Sequence, residues 1–286
     1  MVIIDLQQVM IANLMVQLGS HQNAALDENL LRHMILNMLR SLRVKYNQQD
    51  WGDFVIACDN TSWRKTVFPY YKAARKKSRD ASELDWSAIF NAFTKVRVEL
   101  DTFFPYRVID VDGAEADDVI GVLAHKFGVE LGSGQEKILI ISGDKDFKQL
   151  LKYTNVSQYD PVRKKMIRCD DPELFLKEHI IRGDRSDGIP NLLAKDDVFV
   201  TDSRQPILSQ KRMTRLMALE PSEMTSEEQR NWNRNQLLIS LNSIPENIKQ
   251  EILERYESQA NKGRENLFNY FIQFKLKHLM GQIAEF

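Results

Sequence analysis

Four short apolar runs in the first half of the chain end at or just before an acidic residue, and amphipathic stretches separate them. Val2-Ile3-Ile4 gives way to Asp5 and Phe54–Cys58 to Asp59. Tyr106–Val111 is followed by Glu115, and Lys137–Ile141 by Asp144. Apolar runs of this length, rich in Val and Ile, read as strands buried on both faces. The intervening segments place apolar residues at helical spacing, as in Leu31, Ile35, Met38 and Leu42, in Ile89, Phe93, Val96 and Leu100, and across Ala116–Phe127. Strands alternating with helices predict an α/β fold with a central, mainly parallel sheet flanked by helices. Such sheets collect ligands at the carboxyl ends of their strands, which is where the acids fall. A fifth strand is predicted at Val156–Tyr159. From about Pro172 the pattern turns helical, with helices at Gln236–Leu241, Pro245–Tyr256 and Leu267–Met280 and an isolated strand at Val198–Val200.

The acids come in groups: Asp5, Asp59, Glu115-Ala-Asp117-Asp118, Asp144-Lys-Asp146 and Asp184-Arg-Ser-Asp187. A single aspartate after a strand is most often a helix N-cap. Capping needs one acid per helix start, however, and does not account for the pairs. Carboxylates crowded at one sheet edge repel each other unless a divalent cation neutralises them. An oxygen-only donor set without histidine favours Mg2+, with Mn2+ as a substitute, over Zn2+. Two such ions suit phosphodiester hydrolysis. Asp5, Asp59, Glu115, Asp117 and Asp144 are predicted nearest the scissile phosphate. Asp118, Asp146, Asp184 and Asp187 are predicted around a second ion.

The net charge of the 286 residues is only −1, but the charge is segregated. Ser62–Arg79 holds Arg64, Lys65, Lys72, Arg75, Lys76, Lys77 and Arg79 and no acid. Cations interleaved with Trp63, Phe68, Tyr70 and Tyr71 fit phosphate contacts and base stacking, although the aromatics fit inward packing equally well. Nucleic-acid contacts are expected at Arg64, Lys65, Lys72, Arg75 and Lys76. The two cysteines, Cys58 and Cys169, lie in no metal-binding spacing, and a reduced, cytoplasmic setting is expected. No apolar run reaches the roughly 18 residues of a membrane span. The five histidines fall at unrelated spacings, and no GxSxG element is present, which argues against a nucleophile–histidine hydrolase.

The ordered set IIDL, CDN…WRK…YYKAAR, EADD, ISGDKDF and GDRSDGI resembles the 5′-nuclease (flap endonuclease) superfamily, and within it the ribonuclease H/flap endonucleases of T-even-like bacteriophages. The resemblance runs through nearly the whole chain. It implies a catalytic α/β core over residues 1–170 with a helical arch at about 70–94. It also implies a C-terminal helical region over 171–286 with a helix–three-turn–helix-like DNA-binding module. The nine acids match the family's two metal groups, and Lys72 matches the lysine at the arch base that contacts the scissile phosphate. The implied activity is 5′→3′ exonuclease and flap cleavage on RNA–DNA and DNA duplexes, removing RNA primers during replication. Implied partners are flapped, nicked or RNA-primed duplex DNA, a sliding clamp and a single-strand-binding protein, with the enzyme itself monomeric. Gly188 departs from the asparagine common after GDxxD, and IPNLLAKDD replaces the usual GxGxK run. A PIN-like single-stranded RNA endonuclease shares the small sheet and acid cluster and is the alternative. The basic segment and long helical region weigh against it.

Overall fold

The computed structural model describes residues 1–18, 28–80, 82, 84–129, 136–201 and 203–286, with the side chains of 17–18 and 76–78 outside that description. Six strands form one sheet: β1 (Val2–Asp5), β2 (Phe54–Ala57), β3 (Arg107–Ile109), β4 (Ile138–Ile141), β5 (Val156–Asp160) and β6 (Lys165–Ile167). Their order is β3-β2-β1-β4-β5-β6. All pairings are parallel except β5–β6, a hairpin that closes one edge. The chain builds outward from β1 through β2 to β3, then returns to start again at β4. Strand order therefore reverses between β1 and β4, the place where open α/β sheets bind ligands. Asp5 ends β1, and Asp144 follows β4 by three residues.

β1, β2 and β4 are buried along their whole length, so their side chains alternate between two apolar layers. Val2, Ile4, Phe54, Ile56, Leu139 and Ile141 face a core shared with helices α1 (Leu6–Leu18), α2 (Glu28–Lys45) and α6 (Trp86–Phe103). Between α2 and α6 in sequence lie the short helices α3 (Gln48–Trp51), α4 (Arg64–Val67) and α5 (Ala74–Asp80). Ile3, Val55, Ala57, Ile138 and Ile140 face the other core, completed by Val119, Ile120 and Leu123 of α7 (Ala116–Phe127) and by Ile248 and Ile252. Each aliphatic side chain buried this way stabilises the fold by about 1.5–3 kcal/mol.

Helix α8 (Pro172–Arg182) starts at the N-cap Asp171 and ends at Gly183. α9 (Gln210–Ala218) and α10 (Ser226–Ile239) follow, then α11 (Glu246–Ser258), α12 (Leu267–Gln273) and α13 (Lys277–Met280). A third core joins Ile180, Ile181, Met213, Leu216, Trp232 and Leu238 to Phe68 and Tyr71 of the basic segment. One expectation fails. Val198–Val200 is a turn, because its N–H groups bond locally, Val198 N to Lys195 O and Val200 N to Asp197 O, rather than to a neighbouring strand. The C-terminal residues pack into the first core. Phe286 is fully buried against Phe104 and Phe271, and its carbonyl accepts from Arg264 Nε at 2.7 Å.

Candidate metal centre and nucleic-acid cleft

Seven of the nine predicted acids line one cleft of about 320 Å³: Asp5, Asp59, Asp117, Asp144, Asp146, Asp184 and Asp187. Lys72, Arg75 and Lys145 are the cations in its wall. The acids also serve the backbone. Asp5 Oδ1 accepts from Gln8 N at 3.1 Å, Asp59 Oδ1 from Ala116 N at 2.8 Å, and Asp144 Oδ1 from Asp146 N at 2.9 Å. The capping and the clustering are therefore one arrangement. At these three starts the first N–H groups are held by a cleft carboxylate, whose charge the helix N-terminus favours.

The crowding shows in the proton affinities. Burial, then the neighbouring Asp59 charge, pushes the Asp5 carboxyl up to about 7. Burial and Asp144 raise Asp117 well above its ordinary value. Burial likewise pushes Asp146 up to about 7, with Asp144 adding to it against the pull of His179. Asp59 is also raised, chiefly by burial. Carboxyls that resist ionisation together in one cleft are the signature of a site whose missing charge is positive. The donor set and its charge fit a hard divalent cation.

Glu115 and Asp118 stand apart from the cleft wall. Asp118 is fully buried and completes a capping box at the start of α7, accepting from the Glu115 N–H at 2.9 Å. Its oxygens also take Trp63 Nε1 at 3.3 Å and Arg64 Nη1 at 3.0 Å. The Glu115 carboxylate accepts from Ser62 Oγ, Arg64 Nη1, Tyr71 OH and Lys72 Nζ. Burial works to raise it, but the Lys72 and Arg64 cations prevail and hold it at about 2. The expectation that Asp118 attends a second ion does not fit this place in the fold. Its oxygens are spent on Arg64, Trp63 and the backbone.

Arg64 was expected among the phosphate contacts and is instead 2% exposed, with Nε donating to Leu238 O at 2.8 Å. The reason is local. α4 begins directly after the turn that follows β2, so its first side chain points inward under Glu115. Lys65 and Arg75 are exposed, and the Lys76 side chain lies outside the described residues. Lys72 Nζ lies 2.5 Å from Glu115 Oε1 and 3.7 Å from Asp187 Oδ2.

The Asp184–Asp187 loop is clipped to the basic segment. Asp187 O accepts the Lys72 N–H at 2.7 Å, and its carboxylate takes Tyr71 OH at 3.1 Å and Arg75 Nη2 at 2.5 Å. Lys72 adopts a left-handed backbone, φ 56°, which non-glycine residues rarely do outside constrained sites. Gly188, φ 73°, sits so close to the segment that a Cβ would lie 2.8 Å from Tyr70 O. That contact accounts for glycine at this position.

Sequence reasoning missed His179. It lies on the last turn of α8, is 5% exposed, and places Nε2 3.2 Å from Asp184 Oδ2 and Nδ1 3.5 Å from Asp146 Oδ1. Gly183 reverses the chain after the helix with φ 65° and donates its N–H to His179 O at 2.9 Å. A Cβ on Gly183 would meet the Ile189 and Pro190 carbonyls at 2.4 Å. The only sequence signal was a histidine five residues before Asp184, across a glycine helix stop.

Residues 5–179 match the family model described as the 5′-3′ exonuclease N-terminal, resolvase-like domain. The chain belongs to this 5′-3′ exonuclease family. Residues 170–286 match a second model, the C-terminal region of T4 RNase H. Ribonuclease H of Enterobacteria phage T4 is 32% identical over 99% of this chain and 95% of its own length. Flap endonuclease Xni of Shewanella woodyi is 32% identical over 52% of the chain and 57% of its own. A bacteriophage T5 flap endonuclease, solved as a pseudo-enzyme–product complex with DNA and metal ions, shares the fold. Its TM-score is 0.61 at 17% identity, over 91% of this chain and 99% of that one. As a 5′-nuclease family member the chain is a phosphodiester hydrolase, with a mostly parallel sheet and a helical C-terminal region. Among the described residues, no helix is long and apolar enough to cross a membrane.

Proposed function

We propose that the chain is a magnesium-dependent 5′→3′ exonuclease and flap endonuclease that removes RNA primers and adjoining DNA from lagging-strand fragments. The observation that carries this is the convergence of seven carboxylates from five separate segments on one cleft rimmed by Lys72 and Arg75. Likeness to a phage ribonuclease H along the full chain favours this substrate class over single-stranded RNA.

Asp5, Asp59, Asp117 and Asp144 would hold one ion, and Asp146 and Asp187, with Asp184 beside them, a second. Such ions, when bound, activate a water and stabilise the leaving oxygen. Lys72 presents its ammonium where charge develops on the scissile phosphate, and Glu115 holds that ammonium in place. Arg75 and Lys65 add phosphate contacts whose strength falls with salt. Residues 1–170 would form the catalytic unit, with the arch over about 70–94, and residues 171–286 would grip duplex through a helix–three-turn–helix-like module.

The test is product analysis on a 5′-labelled flap and on an RNA–DNA nick, each with Mg2+, with Mn2+ and with chelator. Cleavage of both substrates that needs the cation is expected. No cleavage of either in Mg2+ would overturn the proposal.

A further inference from the structure

We propose that His179 Nδ1 is a direct ligand of the second cation, together with Asp146 Oδ1, and that this half of the cleft takes Mn2+ or Co2+ in preference to Mg2+. The inference rests on the reading of the acidic edge as a divalent-cation site and deepens it. Asp146, His179 and Asp184 bring donor atoms within 4.8 Å of one another.

Hydrogen bonding sets which ring nitrogen is free. Asp184 is an acceptor throughout: Oδ2 faces Lys145 Nζ at 2.7 Å, and Oδ1 takes Ser186 N at 2.8 Å and Ser186 Oγ at 2.5 Å. The His179 nitrogen beside it, Nε2 at 3.2 Å, must therefore carry the proton. Nδ1 is buried and without a hydrogen-bond partner. It faces Asp146 Oδ1, which also lacks a partner, at 3.5 Å. A cation held by both atoms would give each of these unpartnered buried groups a partner. Their separation is that of two donors on one ion at about 2.1 Å each.

The surroundings fit a ligand. Metal-bound histidines characteristically donate the other ring N–H to a carboxylate that fixes the tautomer, the part Asp184 plays here. The Phe175 ring packs on the imidazole, centroids 5.7 Å apart, and limits its rotation. A neutral imidazole is a softer donor than a carboxylate and suits Mn2+, Co2+ or Zn2+ better than Mg2+. The other half of the cleft offers only oxygens. The two positions are thus chemically unequal, and mixed occupancy follows.

The experiment is pulsed EPR on metal-free protein labelled with 15N at histidine only and titrated with Mn2+. The proposal expects the coupling of one directly bound imidazole nitrogen. It expects that coupling to vanish in His179→Gln, with Mn2+ affinity at one position falling about 10–100-fold and Mg2+ affinity changing much less. Asp146→Asn, which removes the oxygen donor of the same ion, must abolish the same coupling. The wild-type spectrum alone decides the matter if a variant fails to fold. Bound Mn2+ with no histidine coupling overturns the proposal and leaves the cation reading intact. No bound Mn2+ overturns both.

Discussion

Arg64 Nη2 lies 2.8 Å from Asp118 Oδ1, with 3% and 0% of the two side chains exposed. This pair fastens the start of the basic segment to the first turn of α7, and Glu115 is held between them. Removing one partner of a buried ion pair leaves the other charge uncompensated, at a cost of about 3–5 kcal/mol. Arg64→Ala is therefore expected to lower urea-unfolding stability by that amount. A variant of unchanged stability with weakened DNA binding would restore Arg64 as a surface phosphate contact.

Lys72 makes a different prediction, because it reaches the cleft wall. Losing a charge donor aimed at developing negative charge typically lowers kcat by about 100–1,000-fold. Lys72→Ala is expected to lose rate on that scale in single-turnover cleavage of a 5′-flap. Its DNA affinity should change little, since Glu115 already neutralises the ammonium in the free protein.

Gly188 ties the second acid loop to the basic segment. Gly188→Ala would combine a left-handed backbone with a Cβ 2.8 Å from Tyr70 O. Strain of this kind costs about 1–3 kcal/mol. Thermal unfolding should show the loss, and cleavage should weaken with it because Lys72 N–H bonds to Asp187 O.

The pH response follows from the raised carboxyls. Asp5 and Asp146 stand at about 7, against about 4 for an unfolded aspartate. A carboxyl raised on folding favours the protonated native state. Its contribution is complete below about pH 4 and is lost as pH rises through 7. Glu115, held at about 2, has the opposite sign and loses its contribution only as pH falls below about 4. Between these limits the raised pair governs. Metal-free protein is expected to melt lower at pH 8 than at pH 5.5, and saturating Mg2+ should remove the difference. A flat profile in chelator would contradict the crowding.

What the sequence showed and hid follows burial. β1, β2 and β4 were legible because both faces are covered, so their apolar runs are continuous. β6, with Lys165 and Met166 exposed at the sheet edge, carries no such signal. Lys145–Lys152 forms a 3-10 turn rather than an α-helix, a distinction invisible to spacing. Asp5, Asp59, Asp117 and Asp144 were readable as a cluster because strand ends share one edge. Arg64 was misread because its partner Asp118 is 54 residues away, and nothing local marks a charge for burial. His179 was hidden because only the reversal at Gly183 brings it to Asp184.

Asp144→Asn tests the central claim most directly. An asparagine side-chain oxygen can still accept from Asp146 N, as Asp144 does at 2.9 Å, and it caps about as well as aspartate, so the fold should be kept while the charge is lost. With Mg2+ and a 5′-labelled flap, the account predicts a native melting curve and a cleavage rate lowered by at least about 100-fold, the scale of losing charge stabilisation in a preorganised site. A native fold with unchanged cleavage would contradict the account.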